Sequence, residues 1–185
     1  MDLTIAGRRL ELILGDITTQ AVDAIGNAAN AGLRGGGGVD GAIHASAGPE
    51  LLDELRRRYP DGTATGTAVA TEAHRLPARW VIHAVGPIWR GGSEREAELL
   101  EQAYRSVLRV AAELGARSLA LPAISMGIYG YPAGEGARIA VTTVAHHLAT
   151  PAPGLELVRF VLRPATWEPF AAALAAAGIA ADAIE

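Results

Sequence analysis

The chain has 185 residues, half of them hydrophobic, with a net charge of −4, which fits one domain (residues 1–185) and leaves no basic footprint for duplex nucleic acid. It has no cysteine, which excludes disulfides, a cysteine nucleophile and thiolate metal sites. All 16 basic residues are arginine, so a Walker-type loop and a lysine Schiff base are excluded too. Leu10 to Leu14 reads as a strand that ends at Gly15-Asp16, and Ala24 to Ala28 as a second short strand. Val39 to Ala47 and Pro49 to Arg58 read as helices, with Pro49 at a tolerated first-turn position. Thr67 to Thr71 and Trp80 to Val85 carry the β-branched residues of strands. Ser93-Glu94-Arg95-Glu96 has the form of a capping box. The helix it opens places Leu100, Tyr104, Val107, Leu108, Ala111 and Leu114 on one face. Ser118 to Leu121 reads as a buried strand, Ala137 to Leu148 as a helix with Ile139, Ala140, Val144 and Leu148 inward, and Leu155 to Leu162 as the last strand. Trp167, Phe170, Ala171 and Leu174 mark a final helix after Pro164. Strands alternating with helices predict an α/β domain with helices on both faces of a sheet, and ligands then sit in loops beyond the strand ends.

The run Gly26 to Gly41 holds four consecutive glycines, Gly35 to Gly38, and opens into Val39-Asp40-Gly41-Ala42-Ile43-His44. Such a run costs backbone entropy on folding and is kept where the chain bends sharply or approaches something closely. A glycine loop that feeds a helix N-terminus offers free N–H groups to an anion. Gly36 to Gly41 also matches Gly-x-Gly-x-x-Gly, but a dinucleotide fingerprint follows its strand directly, and here Ala28 to Arg34 intervene. A flexible surface tip is the bland alternative. The second such loop, Ser125-Met126-Gly127-Ile128-Tyr129-Gly130-Tyr131-Pro132, follows the Ser118 strand. Two glycine loops at two strand ends predict a pyrophosphate held from both sides by main-chain N–H groups, with no lysine required.

Asp16 is either a turn cap or an acceptor for an exocyclic amine such as that of adenine. Asp40 and His44 are four residues apart and share a helix face beside the glycine loop, where acid/base groups belong. Adjacent His146 and His147 point in different directions, with no carboxylate at ligand spacing, so they read as a solvated face. His83, inside an apolar strand, reads as a satisfied core histidine, and His74 as a loop residue. No apolar run is long enough to span a bilayer. Met1-Asp2-Leu3-Thr4 lacks the basic start of a signal peptide, so a cytoplasmic location is expected. Nothing in the sequence sets an oligomeric state.

Gly15-Asp16-Ile17-Thr18, Asn27-Ala28-Ala29-Asn30, Gly35 to His44 and Ser125 to Pro132 together resemble the macrodomain signature, and the resemblance spans roughly Leu12 to Phe170. Val39-Asp40-Gly41-Ala42-Ile43-His44 resembles the MacroD-type branch. Ala47-Gly48-Pro49, Thr65-Gly66-Thr67-Ala68 and His83 to Gly92 are also similar to that family. The resemblance implies a three-layer α/β/α fold with a central mixed sheet and an ADP-ribose cleft across the strand ends. It implies hydrolysis of ADP-ribose esters, on mono-ADP-ribosylated acidic side chains of proteins and on O-acetyl-ADP-ribose, without metal or redox cofactor.

By that resemblance Asp16 accepts from the adenine amine with the Ile17 N–H beside it, Asn27 is among the residues that bind ADP-ribose, and Asn30 bonds the distal ribose. Gly36-Gly37-Gly38-Val39 and Ser125-Met126-Gly127-Ile128-Tyr129 surround the pyrophosphate, and Tyr129 packs near the distal ribose. Asp40 orients that ribose and the attacking water, with His44 beside it. Water activation by Asp40 and by a substrate phosphate both remain open. Three departures stand out: Met126 in place of a usual threonine, Gly26 in place of a β-branched residue, which would loosen its strand, and Arg163 where an aromatic usually stacks on adenine. A non-catalytic ADP-ribose reader is the alternative function. An RNA-processing regulator is a more distant one, and the acidic balance disfavours nucleic acid as a partner.

Overall fold

The computed structural model describes residues 1–150 and 154–182. Its strands are β1 (Asp2–Ile5), β2 (Arg8–Leu14), β3 (Ala24–Ala29), β4 (Ala68–Glu72), β5 (Trp80–Val85), β6 (Ser118–Leu121) and β7 (Leu157–Leu162). The helices are α1 (Gly38–Ala47), α2 (Pro49–Arg58), α3 (Glu96–Glu113), α4 (Ala133–Ala149) and α5 (Pro164–Asp182). The seven strands form one sheet in the order β1-β2-β7-β6-β3-β5-β4. The two edge pairs, β1 with β2 and β4 with β5, are antiparallel, and the inner pairs are parallel. This is the expected mixed sheet.

The alternation of side chains along each strand sorts the core into two layers. Ile82 and Ala84 of β5 pack with Tyr104 of α3, Val144 of α4 and Phe170 of α5 on one face. Val81 and Val85 pack with Ile43 of α1 and with Leu51 and Leu55 of α2 on the other. Helices therefore cover both faces, the three-layer arrangement the sequence predicts.

β3 connects onward through α1 and α2 toward the β4–β5 edge, whereas β6 connects through α4 to β7 on the opposite side. Neighbouring strands whose connections diverge leave a crevice at their C-terminal ends, the usual ligand position in an open α/β sheet. Both glycine loops leave from this point, one after β3 and one after β6.

Several elements differ from the sequence-based expectation. β1 was not expected: its exposure alternates between exposed and half-buried, so it carries no strong apolar period. A short 3-10 turn, Ile17–Thr19, was also not expected. The capping box does not form. The residue before α3 is Arg95, in a left-handed conformation (φ 61°), and Ser93 caps nothing. The Glu96 carboxylate instead accepts from the N–H groups of Arg90, Gly92 and Glu94, tying down the loop ahead of the helix. α4 begins four residues before the expected Ala137, because Pro132 fixes the entry and Gly134 and Gly136 are accommodated inside its first turns. The side chain of Met126 lies where a Cβ on Gly136 would be.

Gly26 is not the loose point expected. A Cβ there would lie 2.8 Å from Leu121 Cδ2, so glycine lets β3 and β6 pack closely where their pairing ends.

Candidate active site

β3 ends at Ala29, and Leu33 turns back with a positive φ of 54° before the glycine run reaches α1. Gly37 is the N-cap of α1 and offers no side chain to its open N–H groups. Those donors, with the helix dipole, attract an anion. On the other side, β6 runs into Ala123, Ile124 and Ser125, and Ser125 takes a positive φ of 66°. Gly86, at the end of β5, closes the floor: a Cβ there would overlap Ser125 Oγ. The two loops and Gly86 enclose a cleft of about 290 Å³.

Ten of the sequence-predicted site residues line this cleft: Asn30, Gly36, Gly37, Gly38, Val39, Asp40, Ser125, Gly127, Ile128 and Tyr129. Across the opening Ile128, 78% exposed, comes close to Gly37, where an added Cβ would be 3.2 Å from Ile128 Cδ1. Asn30 donates through Nδ2 to the Gly35 carbonyl at 2.8 Å, which sets the start of the glycine run. Burial, reinforced by the Asp40 charge, pushes the Tyr129 hydroxyl pKa up, so the phenol keeps its proton.

Asp40 is buried, at 5% exposure, in the first turn of α1. Its Oδ1 accepts from Asn27 Nδ2 at 2.6 Å, and His44 Nε2 lies 3.4 Å away on the next turn. Its Oδ2 has no partner among the described residues and faces Gly36, where an added Cβ would lie 3.2 Å away. A buried oxygen without a partner is costly, and a native structure that keeps one has a donor in store for it. Asn27 Oδ1 and Ser125 Oγ are two further buried atoms of this kind.

The family model for the Macro domain matches residues 26–140, which contain both glycine loops and Asp40. The chain belongs to the macro domain family. A macro domain-containing protein of Streptomyces griseus is 57% identical over 157 residues, covering 83% of this chain and 86% of the relative. A Salmonella gallinarum protein named O-acetyl-ADP-ribose deacetylase is 59% identical over 139 residues, covering 74% of this chain and 78% of the relative. Among solved structures, the Oceanobacillus iheyensis macrodomain with ADP superposes with a TM-score of 0.88 at 40% identity over 95% of each chain. A Trypanosoma brucei macrodomain in complex with ADP-ribose gives 0.80 at 37% identity, covering 87% of this chain and 67% of the other.

The remaining predicted residues of this macrodomain, Asp16, Ile17, Asn27, His44, Met126 and Arg163, are not among those that line the cleft. Asp16 and Arg163 end the adjacent strands β2 and β7, whose register pairs Leu14 with Leu162. Asp16 Oδ1 accepts from the backbone and hydroxyl of Thr18, which together hold its carboxyl below the usual range, with a further contribution from Arg163. The cap role of Asp16 is thus realised at Oδ1, and Oδ2 has no hydrogen bond within the described residues. Ile17 is buried in the turn that follows. Asn27 lies beneath the cleft floor with no exposure, and His44 stands behind Asp40. The Met126 side chain packs against α4 at Gly136, so the long thioether takes no place among the lining residues. Among the described residues no group of three or more His, Asp or Glu side chains is placed to hold a metal ion.

Ala28, Ala29, Gly86, Ala123 and Ile124 line the cleft without having been predicted as site residues, and Trp89 braces it from behind. Gly86 is required by the close approach of Ser125, a contact between strands far apart in sequence. Trp89 donates its main-chain N–H to the Tyr129 carbonyl at 2.9 Å and sets its ring edge-on to Tyr131 with centroids 4.9 Å apart, bracing the second loop. Only the Gly86-Pro87-Ile88-Trp89 run itself could have pointed to these two.

Proposed function

We propose that this macrodomain is a MacroD-type hydrolase that binds ADP-ribose and cleaves its esters. Its substrates are O-acetyl-ADP-ribose and proteins mono-ADP-ribosylated on acidic side chains. The observation that carries the reading is Asp40 Oδ2, buried in the first turn of α1 against Gly36 of the first glycine loop and without a hydrogen-bond partner among the described residues. The N–H groups of Gly38 and its neighbours, with those of the second loop, suit a pyrophosphate. Asp16 and Arg163, at the β2–β7 end, suit the adenine. That orientation brings the distal ribose toward Asn30, Asp40 and Tyr129.

An ADP-ribose ester is a competent electrophile, so the site has chiefly to hold it and place water. Asp40 Oδ2 accepts a hydrogen bond from that water or from the neighbouring ribose hydroxyl. Water adds to the ester carbonyl, the bond to the ribose oxygen breaks, and the products are free ADP-ribose and a carboxylic acid. The names of the Salmonella and Enterobacter relatives support the acetyl ester as one substrate.

The test is release of ADP-ribose from a glutamate-linked mono-ADP-ribosylated protein and from O-acetyl-ADP-ribose. Asp40→Ala is expected to lower kcat by about 10²- to 10⁴-fold, the range of a positioned acid/base group, while ADP-ribose still binds. Wild-type activity no higher than that of the variant, with tight ADP-ribose binding, would select a non-catalytic reader instead.

A further inference from the structure

β3 and β5 are parallel neighbours, and their register sets Asn27 opposite His83. Alternation along the two strands turns both side chains to the α1 face, with Ile25 and Ala29 on one strand and Val81 and Val85 on the other. Asn27 Nδ2 is 2.6 Å from Asp40 Oδ1 and 3.1 Å from His83 Nδ1. The amide nitrogen carries two hydrogens, so it can make both bonds at once. It only donates, so His83 Nδ1 must be bare. The ring proton then sits on Nε2, 2.9 Å from Thr71 Oγ1 on β4. His83 is fully buried, and burial together with nearby His44 pushes its pKa down to about 3 against the pull of Asp40, which keeps the ring neutral. The reversed amide would set Asn27 Oδ1 against the Asp40 carboxylate, two acceptors face to face.

We infer that Thr71 and His83 are positioning residues for Asp40, acting through Asn27. The line from β4 across β5 and β3 occupies Oδ1 and thereby leaves Oδ2 turned toward Gly36 of the first glycine loop. The inference rests on the proposed function, which gives Asp40 its role in steering water.

His83→Leu, His83→Asn and Thr71→Val test it. In His83→Asn the new Oδ1 can take the place of the ring Nδ1 and accept from Asn27, whereas leucine accepts nothing. His83→Leu is expected to lower kcat on O-acetyl-ADP-ribose about tenfold, as loss of a ligand-orienting partner does, with KM and the ADP-ribose Kd within about twofold. His83→Asn is expected to regain most of that kcat. Both variants lose ring packing and melt earlier, so a packing role alone predicts equal losses of activity. In ¹⁵N spectra of the wild-type protein at pH 7, His83 is expected to show a bare Nδ1 and a protonated Nε2, and Thr71→Val to shift the Nε2 signal. A proton on Nδ1, wild-type kcat in His83→Leu, or equal losses in the two His83 variants overturns the inference. If His83→Leu does not fold, His83→Asn with wild-type-like kcat and the expected ¹⁵N pattern supports it, and a large kcat loss in His83→Asn with folding intact overturns it. A wild-type protein without hydrolase activity fails the proposed function first, and the ¹⁵N spectrum still reports the hydrogen-bond order.

Discussion

His83 shows how one residue ties stability to the site. In the unfolded chain an imidazole takes up a proton near pH 6.5, whereas in the fold burial and His44 hold His83 neutral down to about pH 3. Asp40 and His44, both on α1, are the titratable groups that face it, and Thr71 and Asn27 occupy its two nitrogens. As pH falls from about 6.5 toward 3, the unfolded state binds a proton that the folded state refuses, so stability is lost. The slope from this one ring approaches about 1.4 kcal/mol per pH unit, and above pH 6.5 the contribution is complete and flat. His147, its pKa lowered by burial and then by Arg8, acts in the same direction. Denaturant unfolding at pH 7.5 and pH 5.5 checks this. The wild-type protein should lose stability between the two, and His83→Asn should lose distinctly less. An equal loss in both would mean that His83 already ionises freely in the fold.

At the scale of elements, the site depends on how closely three strand ends approach. β3 pairs with β6 only through Ala24 and Ile25, and from Gly26 onward the two strands part to make room for the ligand loops. Gly26 is the pivot, since a Cβ there would be 2.8 Å from Leu121 Cδ2 and 3.4 Å from the Ala120 carbonyl. Gly26→Val, which restores the β-branched residue usual in the family, is expected to destabilise by about 1–3 kcal/mol despite its better strand propensity, because overpacking outweighs propensity in a buried strand. Thermal or denaturant unfolding measures it, and a stabilised variant would refute the packing argument. The second loop is braced from behind in a comparable way. Glu96 gathers the N–H groups of Arg90, Gly92 and Glu94, and the same segment carries Trp89 against Tyr129 and Tyr131. A residue pattern that reads as a helix cap thus serves to fix a loop.

For the whole molecule, the cleft lies where the chain reverses its path through the sheet, with one core layer above and one below. A ligand that joins the β3, β5, β6 and β7 ends stabilises the native state by mass action. ADP-ribose at about 100 times its Kd adds about 2.7 kcal/mol, which raises Tm by about 5–10 °C for a domain of this size. Differential scanning fluorimetry with ADP-ribose measures the shift. No shift at millimolar ligand would sink the assignment of the cleft. The α/β class and the two glycine loops were legible in the sequence because they are local: apolar period, turn residues and composition lie within a few neighbours of one another. Asp40 and His44 were legible for the same reason, as an i,i+4 pair on one helix. The family, too, could be recognised from short ordered motifs. Strand order was not legible, and with it went everything that depends on which residues face each other across the sheet. The partnership of Asn27 with His83, the need for glycine at 26 and 86, and the packing of Met126 against α4 were decided only by tertiary structure. These are contacts between segments tens of residues apart, set by register and by close packing, and no local pattern in the chain encodes them.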